Sequence, residues 1–143
     1  MSNLSLFLKK NKKVKKNAFY AATKSLCDDK GEPLKWEIKP LTTNEVDDIR
    51  ASCTIEVQVT GKPGLYRPKT DNNAVVAKMM VASIVFPDLN NKELQDSYGV
   101  MTPEALLKAM IDNPAEYNDL VAFVQNHSGL DETLSDKVDE AKN

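Results

Sequence analysis

The stretch DNNAVVAKMMVASIVFP, residues 71–87, decides the fold. Its apolar run from Ala74 to Phe86 is interrupted only by Lys78 and Ser83. A helix built on it is hydrophobic nearly all round, which puts it at the centre of a core. Asp71 is placed to cap that helix, and Pro87, which can neither donate a hydrogen bond nor continue a helix, to end it. The run falls short of the roughly 20 apolar residues a membrane-spanning helix needs. It predicts the buried helix of a soluble protein.

Downstream the pattern stays helical. A short helix is expected around Lys92 to Ser97. Thr102 with Pro103 is a cap followed by a first-turn proline, and Leu106, Leu107, Met110 and Ile111 form the stripe behind it. Asn113, Pro114 and Glu116 repeat the start signal. Tyr117, Leu120, Val121 and Val124 then line one face, and Gly129 is placed to stop the helix.

Upstream the period falls to two. AFYAATKSL and PLKWEIK flank CDDKGE, and Leu34, Trp36 and Ile38 alternate with Lys35, Glu37 and Lys39. Such alternation gives one inward and one wet face, so a hairpin is expected, with Gly31 at its turn. After Pro40, Thr42 and Glu45 have capping-box spacing, and Val46, Ile49 and Cys53 share a helical face ending near Ser52. Alternation then resumes. Cys53, Ile55, Val57 and Val59, followed by the turn TGKPG, predict a second hairpin from Thr54 to Lys69. The sum is a single α+β domain, with N-terminal β-hairpins followed by a mainly helical C-terminal half. Its expected parts are a basic and apolar arm over 1–16, the domain over 17–129, and an acidic flexible tail over 130–143.

Charge separates the two ends of these 143 residues. Nineteen basic side chains face twenty-one acidic ones, a net charge of -2, yet positions 9–16 read KKNKKVKK while Asp131, Glu132, Asp136, Asp139 and Glu140 crowd the tail. A slightly acidic whole argues against general nucleic-acid affinity, which needs a cationic excess. The lysine run also lacks the interleaved aromatics that stack on bases. The lysines read as a soluble flank for LSLFL, residues 4–8. That segment suits either docking in a partner's groove or folding back on its own domain as a short helix. The basic run follows the apolar stretch instead of preceding a longer one, so no signal peptide is read and a cytoplasmic protein is expected. Cys27 and Cys53 are then reduced thiols.

Candidates for chemistry are few. His127, the only histidine, stands in the last turn of a predicted helix, where the dipole favours a cation. Pairing it with Cys27 or Cys53 as a nucleophile needs a third, orienting group, and a zinc site needs added carboxylates; no local spacing supplies either. TGKPG lacks phosphate-loop spacing, and Asp28, Asp29 and Glu32 fit a solvated turn better than a calcium loop. Met79, Met80, Met101 and Met110 fit core filling better than an adaptable binding surface. No catalytic, cofactor-binding or metal-ligating residue is expected, and no enzyme.

The segment FPDLNNKELQDSYGVMTPEALLKAMIDNPAEYNDLVAFVQNHSGL, residues 86–130, carries a resemblance. Its most specific part is Pro87, Asp88, Leu89, Asn90, Leu94, Gln95, Tyr98 and Gly99, followed by Leu106, Leu107, Met110 and Glu116-Tyr117. With LSLFLKKNKKVKK and WEIKPLTTNEVDDIR around Trp36, it resembles the XkdN-like phage tail assembly chaperones of Gram-positive phages and prophages. The match weakens between Thr54 and Thr70. The resemblance implies a non-catalytic protein of the bacterial cytoplasm, absent from the virion, whose partners are the tape-measure protein and, second, tail tube subunits. Many such phages add a C-terminal extension by frameshifting, and the resemblance implies that this chain is the short form or a prophage relic of it.

On that footing Leu4, Leu6, Phe7, Leu8, Lys9 and Lys10 are the expected partner-binding residues, with self-association a further expectation. No cofactor, membrane or nucleic acid is expected. Two alternatives are a structural component of the mature tail and a small regulatory module contacting nucleic acid through its lysines.

Overall fold

A computed structural model describes residues 3–130. Asp71 caps the central helix, α2 (Asn72–Ser83): its carboxylate accepts a hydrogen bond from the Ala74 amide at 3.1 Å. Val75, Ala77, Met79, Met80 and Ser83 are buried, as an all-round apolar helix requires.

The helix ends three residues earlier than its hydropathy predicts. Ile84–Phe86 form a strand, β5, instead of a last turn. Two effects combine here. Phe86 precedes Pro87, which disfavours helical backbone at the residue before it, and β-branched Ile84 and Val85 lie comfortably in an extended chain. An edge strand also waits for them. Ser83 makes the junction: its hydroxyl donates to the Met80 carbonyl at 2.9 Å, and its own carbonyl accepts from the Lys39 amide at 2.7 Å.

That edge belongs to β2 (Trp36–Ile38), which pairs antiparallel with β1 (Ala18–Tyr20) on one side and β5 on the other. Ala18 faces Ile38, Phe19 faces Glu37 and Tyr20 faces Trp36. The expected first hairpin exists, but its strands are three residues long and its connection is broad. A bridge between Cys27 and Pro33 narrows it, and Gly31, at φ 83°, makes the turn. Ala22 and Thr23, inside the loop, are buried.

Helix α1 (Thr43–Ser52) opens on the expected capping box. Thr42 Oγ1 accepts from the Glu45 amide at 3.2 Å, and Glu45 Oε1 accepts from the Thr42 amide at 3.1 Å. The second hairpin follows, β3 (Thr54–Gln58) with β4 (Tyr66–Thr70), in unbroken register. Beyond β5 come α3 (Lys92–Ser97), α4 (Pro103–Met110) and α5 (Pro114–His127), the last two capped by Thr102 and Asn113. Gly129, at φ 78°, closes α5: its amide reaches the Asn126 carbonyl at 3.1 Å and the Leu130 amide reaches the Gln125 carbonyl at 2.7 Å.

The core lies where α4, α5 and the inner face of the sheet meet α2. Trp36, Ile38, Met80, Leu106, Leu107, Leu120 and Val124 are all fully buried there. Three of the four singled-out methionines fill it; Met101 is 91% exposed. The predicted acidic tail lies outside the described residues from position 131 onward.

Two carboxylates tie distant parts of this fold. Glu116, in the first turn of α5, accepts from the Lys24 amide at 2.8 Å and from the Thr23 hydroxyl at 2.7 Å. Both bonds favour its ionised form and hold its pKa below the ordinary 4.5, the Lys24 amide most. Glu45 is lowered likewise, chiefly by Lys39, whose ammonium stands 2.6 Å from it. A lowered folded-state pKa means stability that is present above the unfolded pKa and lost as pH falls through the folded one. Thermal melts are therefore expected to show a midpoint that drops below about pH 4.5. The Glu45→Gln, Glu116→Gln double variant should lose less midpoint than the parent over that interval. An identical acid slope in both chains would refute the assignment.

Candidate protein-docking surfaces

The N-terminal arm is the first surface. Asn3–Phe7 and Lys9–Asn11 form two 3-10 turns with no buried residue. Leu4, Leu6 and Phe7 are 69%, 71% and 83% exposed, and Leu8 is also exposed. Asn11 Nδ2 donates to the Ser5 carbonyl at 2.7 Å, closing the turns into one short unit. Lys9 and Lys10 lie in the second turn, and the chain from Lys12 to Asn17 runs without repeating structure into β1. LSLFL thus coils into a short 3-10 turn through Phe7, but its large apolar side chains stay exposed and do not fold back into the core.

The outer face of the three-stranded sheet is the second. Alternation sends Tyr20, Trp36, Ile38 and Ile84 toward the core and turns Phe19 and Glu37 outward. Phe86 would follow Ile84 inward if β5 were regular. It does not, because the register shifts between Glu37 and Ile38 and brings Ile84 and Phe86 opposite adjacent residues of β2. Such a bulge flips the face on which the residues beyond it lie. Phe86 therefore faces outward across from Glu37, and the row Phe19–Glu37–Phe86 crosses the sheet. Phe19 is 65% exposed and Phe86 64%. Glu37 Oε2 accepts from Asn17 Nδ2 at 2.9 Å. Beside Phe86 the face continues into a groove of about 420 Å³, with Pro87 and Leu94 as apolar lining, Asp88 and Glu93 as acids, and no basic residue.

The third is a cleft of about 700 Å³ between the β3–β4 hairpin and the start of α2, lined among others by Ile55, Val57, Lys69 and Lys78. Its lining sets aliphatic Ile55, Val57 and Ala74 against polar side chains, among them Asp71 beside the two lysines. The arm is evident in the sequence, whereas the second and third surfaces are not. Phe19 was legible in principle, since Ala-Phe-Tyr in a strand must turn one large ring away from the other. The bulge at Phe86 left no such sign.

The candidates for chemistry are scattered. Cys27 is exposed and Cys53 buried, both free. His127 stacks on Phe123 at 5.9 Å, and Phe123 on Tyr20 at 4.3 Å, so its ring belongs to an aromatic stack joining α5 to β1. Burial, and then the nearby Asp119 and Glu116 charges, push the Tyr20 hydroxyl pKa upward. Among the described residues no three His, Cys, Asp or Glu side chains gather to hold a metal, and no helix is long and apolar enough to cross a membrane.

Comparison with known proteins places this geometry. A family model described as phage XkdN-like tail assembly chaperone protein matches residues 4–142. The phage-like element PBSX protein XkdN of Bacillus subtilis is 26% identical over 121 residues, covering 85% of this chain and 80% of that protein. YqbN, an uncharacterised protein of the same organism, is 25% identical over 121 residues with the same coverage. A crystal structure of the protein YqbN has a similar fold, with a TM-score of 0.73 at 19% identity, covering 90% of this chain and 98% of that one.

Proposed function

The chain belongs to the phage XkdN-like tail assembly chaperone family, and on that premise we propose that it holds the tape-measure protein, and secondarily tail tube subunits, before the tube polymerises. A role in phage tail assembly comes with the family; the choice of client is our reading. The observation that carries it is the arm. Four large apolar side chains, Leu4, Leu6, Phe7 and Leu8, stand exposed next to Lys9 and Lys10, on a segment that contributes nothing to the core. Exposed apolar clusters on small proteins mark interaction sites. A long apolar client needs just such a contact, with charge beside it to keep the complex dissolved. Holding a client calls for no bond-making group, in keeping with a non-enzymatic family role.

Co-expression with the tape-measure protein tests this. Deleting residues 1–16 is expected to abolish co-purification while leaving the thermal midpoint of the remaining domain within about a degree, because none of the described residues it removes is buried. Undiminished capture would remove the arm from the contact. Mass spectrometry of purified particles separates a chaperone, which is absent from them, from a structural tail component.

A further inference from the structure

We propose that the acidic segment 131–143 of this chain docks in the cleft between the β3–β4 hairpin and the start of α2, filling it while no other polypeptide is bound. The contact rests on the cleft and on the charges, and stands whichever client the arm holds.

The cleft suits an acidic segment with some apolar side chains. Ile55 on β3 lies opposite Lys69 on β4, and Val57 lies opposite Arg67, so one face of the ribbon sets two aliphatic side chains beside two cations. Ile55, Val57 and Lys69 line the cleft, which puts that face on its wall, and Lys78 of α2 lines it as well. Ile55 is 63% exposed, and Arg67 and Lys69 are exposed too. Among the described residues none of Arg67, Lys69 and Lys78 makes an ion pair. The Lys78 ammonium rests 3.4 Å from the Ser52 hydroxyl instead. Asp71 is the one carboxylate in the lining, and it is engaged in capping α2 through the Ala74 amide. Unpaired cations around uncovered aliphatic side chains call for carboxylates interspersed with apolar residues.

The chain carries such a segment, and it starts within reach. Asp131, Glu132, Asp136, Asp139 and Glu140 outnumber Lys137 and Lys142 there, with Leu134 and Val138 among them. Leu130 shares a small recess with Thr42 and Val46 at the start of α1. Ser52 and Cys53, at the far end of that helix, line the cleft. A helix of 10 residues rises about 15 Å, whereas the segment in extended form spans roughly 40 Å. It is long enough to pass along α1 with chain to spare. Attachment to the same molecule keeps it at an effective concentration in the millimolar range, where individually weak surface ion pairs suffice.

Paramagnetic broadening in the isotope-labelled full chain tests the proposal. A nitroxide is attached at Ser135→Cys in a chain that also carries Cys27→Ser, so that buried Cys53 is the remaining native thiol. Broadening is expected to concentrate on the amides of Ile55, Val57, Lys69 and Ala74, and to be the same at every protein concentration. Arg67→Glu with Lys69→Glu turns attraction into repulsion and should weaken docking about tenfold. Both positions are exposed, so the melting midpoint should hold. Arg67→Gln with Lys69→Gln, which removes the charges without reversing them, is the second variant should the first melt early. Adding Asp136→Lys and Asp139→Lys to the Glu pair restores opposite charges and is expected to bring the broadening back.

Cleft amides that stay sharp overturn the proposal. So does broadening that charge reversal leaves unchanged, or a fourfold variant that fails to regain it. A last arm mixes nitroxide-bearing chain without isotope label into isotope-labelled chain without nitroxide. Broadening at the cleft in that mixture would put the contact between copies and overturn the proposal as well.

Discussion

Replacing Trp36 by alanine is expected to remove about 4 kcal/mol of stability, the loss typical of emptying a large aromatic site that neighbours cannot refill. Trp36 is 1% exposed at the middle of the sheet, opposite Tyr20 on β1 and in the same buried cluster as Met80, Leu106 and Leu107. Small domains are stable by only about 5–15 kcal/mol, so the variant should be near the edge of folding at room temperature. Urea titration followed by far-ultraviolet circular dichroism measures it; fluorescence does not serve, because Trp36 is the only tryptophan. A loss under about 1 kcal/mol would mean that the site collapses on itself, against the packing described.

Leu120→Asp should do at least as much harm by a different route. Leu120 is 0% exposed on the face of α5 that meets α2, with Val124, equally buried, one turn further on. A carboxylate there has no cation to pair with among its buried apolar neighbours. It must either stay ionised at a cost of several kcal/mol or take up a proton with its pKa driven upward. The loss is expected to be on the order of 4 kcal/mol or more at neutral pH, and smaller in mild acid, where the protonated form costs less. Leu120→Met, which keeps volume and polarity, should cost under about 1.5 kcal/mol. Equal stability of the Asp and Met variants would refute the placement of α5 against α2.

Much of this architecture was legible because local signals and burial agreed. Thr42 with Glu45, Asp71, Thr102 with Pro103, and Asn113 with Pro114 each start a helix where their side chains can satisfy the first free amides, and each does so here. Ile84–Phe86 is a strand where hydropathy alone expects helix. Apolar character alone does not separate the end of a buried helix from a short buried strand, and what decides is the open edge of β2, far upstream in the chain. The candidate docking residues divide the same way. Leu4, Leu6, Phe7 and Leu8 were visible as an apolar cluster against lysines. Hydropathy alone places Phe86 in a helix, and only the bulge beside Glu37 turns it toward solvent.

The β3–β4 hairpin carries a kinetic consequence. It is fastened to the body at its base, where the Thr54 and Thr70 hydroxyls meet at 2.7 Å and the Asp71 amide holds the Cys53 carbonyl at 2.9 Å. Above that clasp its two strands bury almost nothing. Two strands without a shared apolar layer open on their own, well before the rest of the chain lets go. Amide protons of Ile55 to Lys69 therefore trade with solvent through brief local excursions, while those of Met79 and Met80 wait for the whole molecule to come apart. The domain keeps two clocks, and the fast one ticks in the hairpin that flanks the cleft at the start of α2.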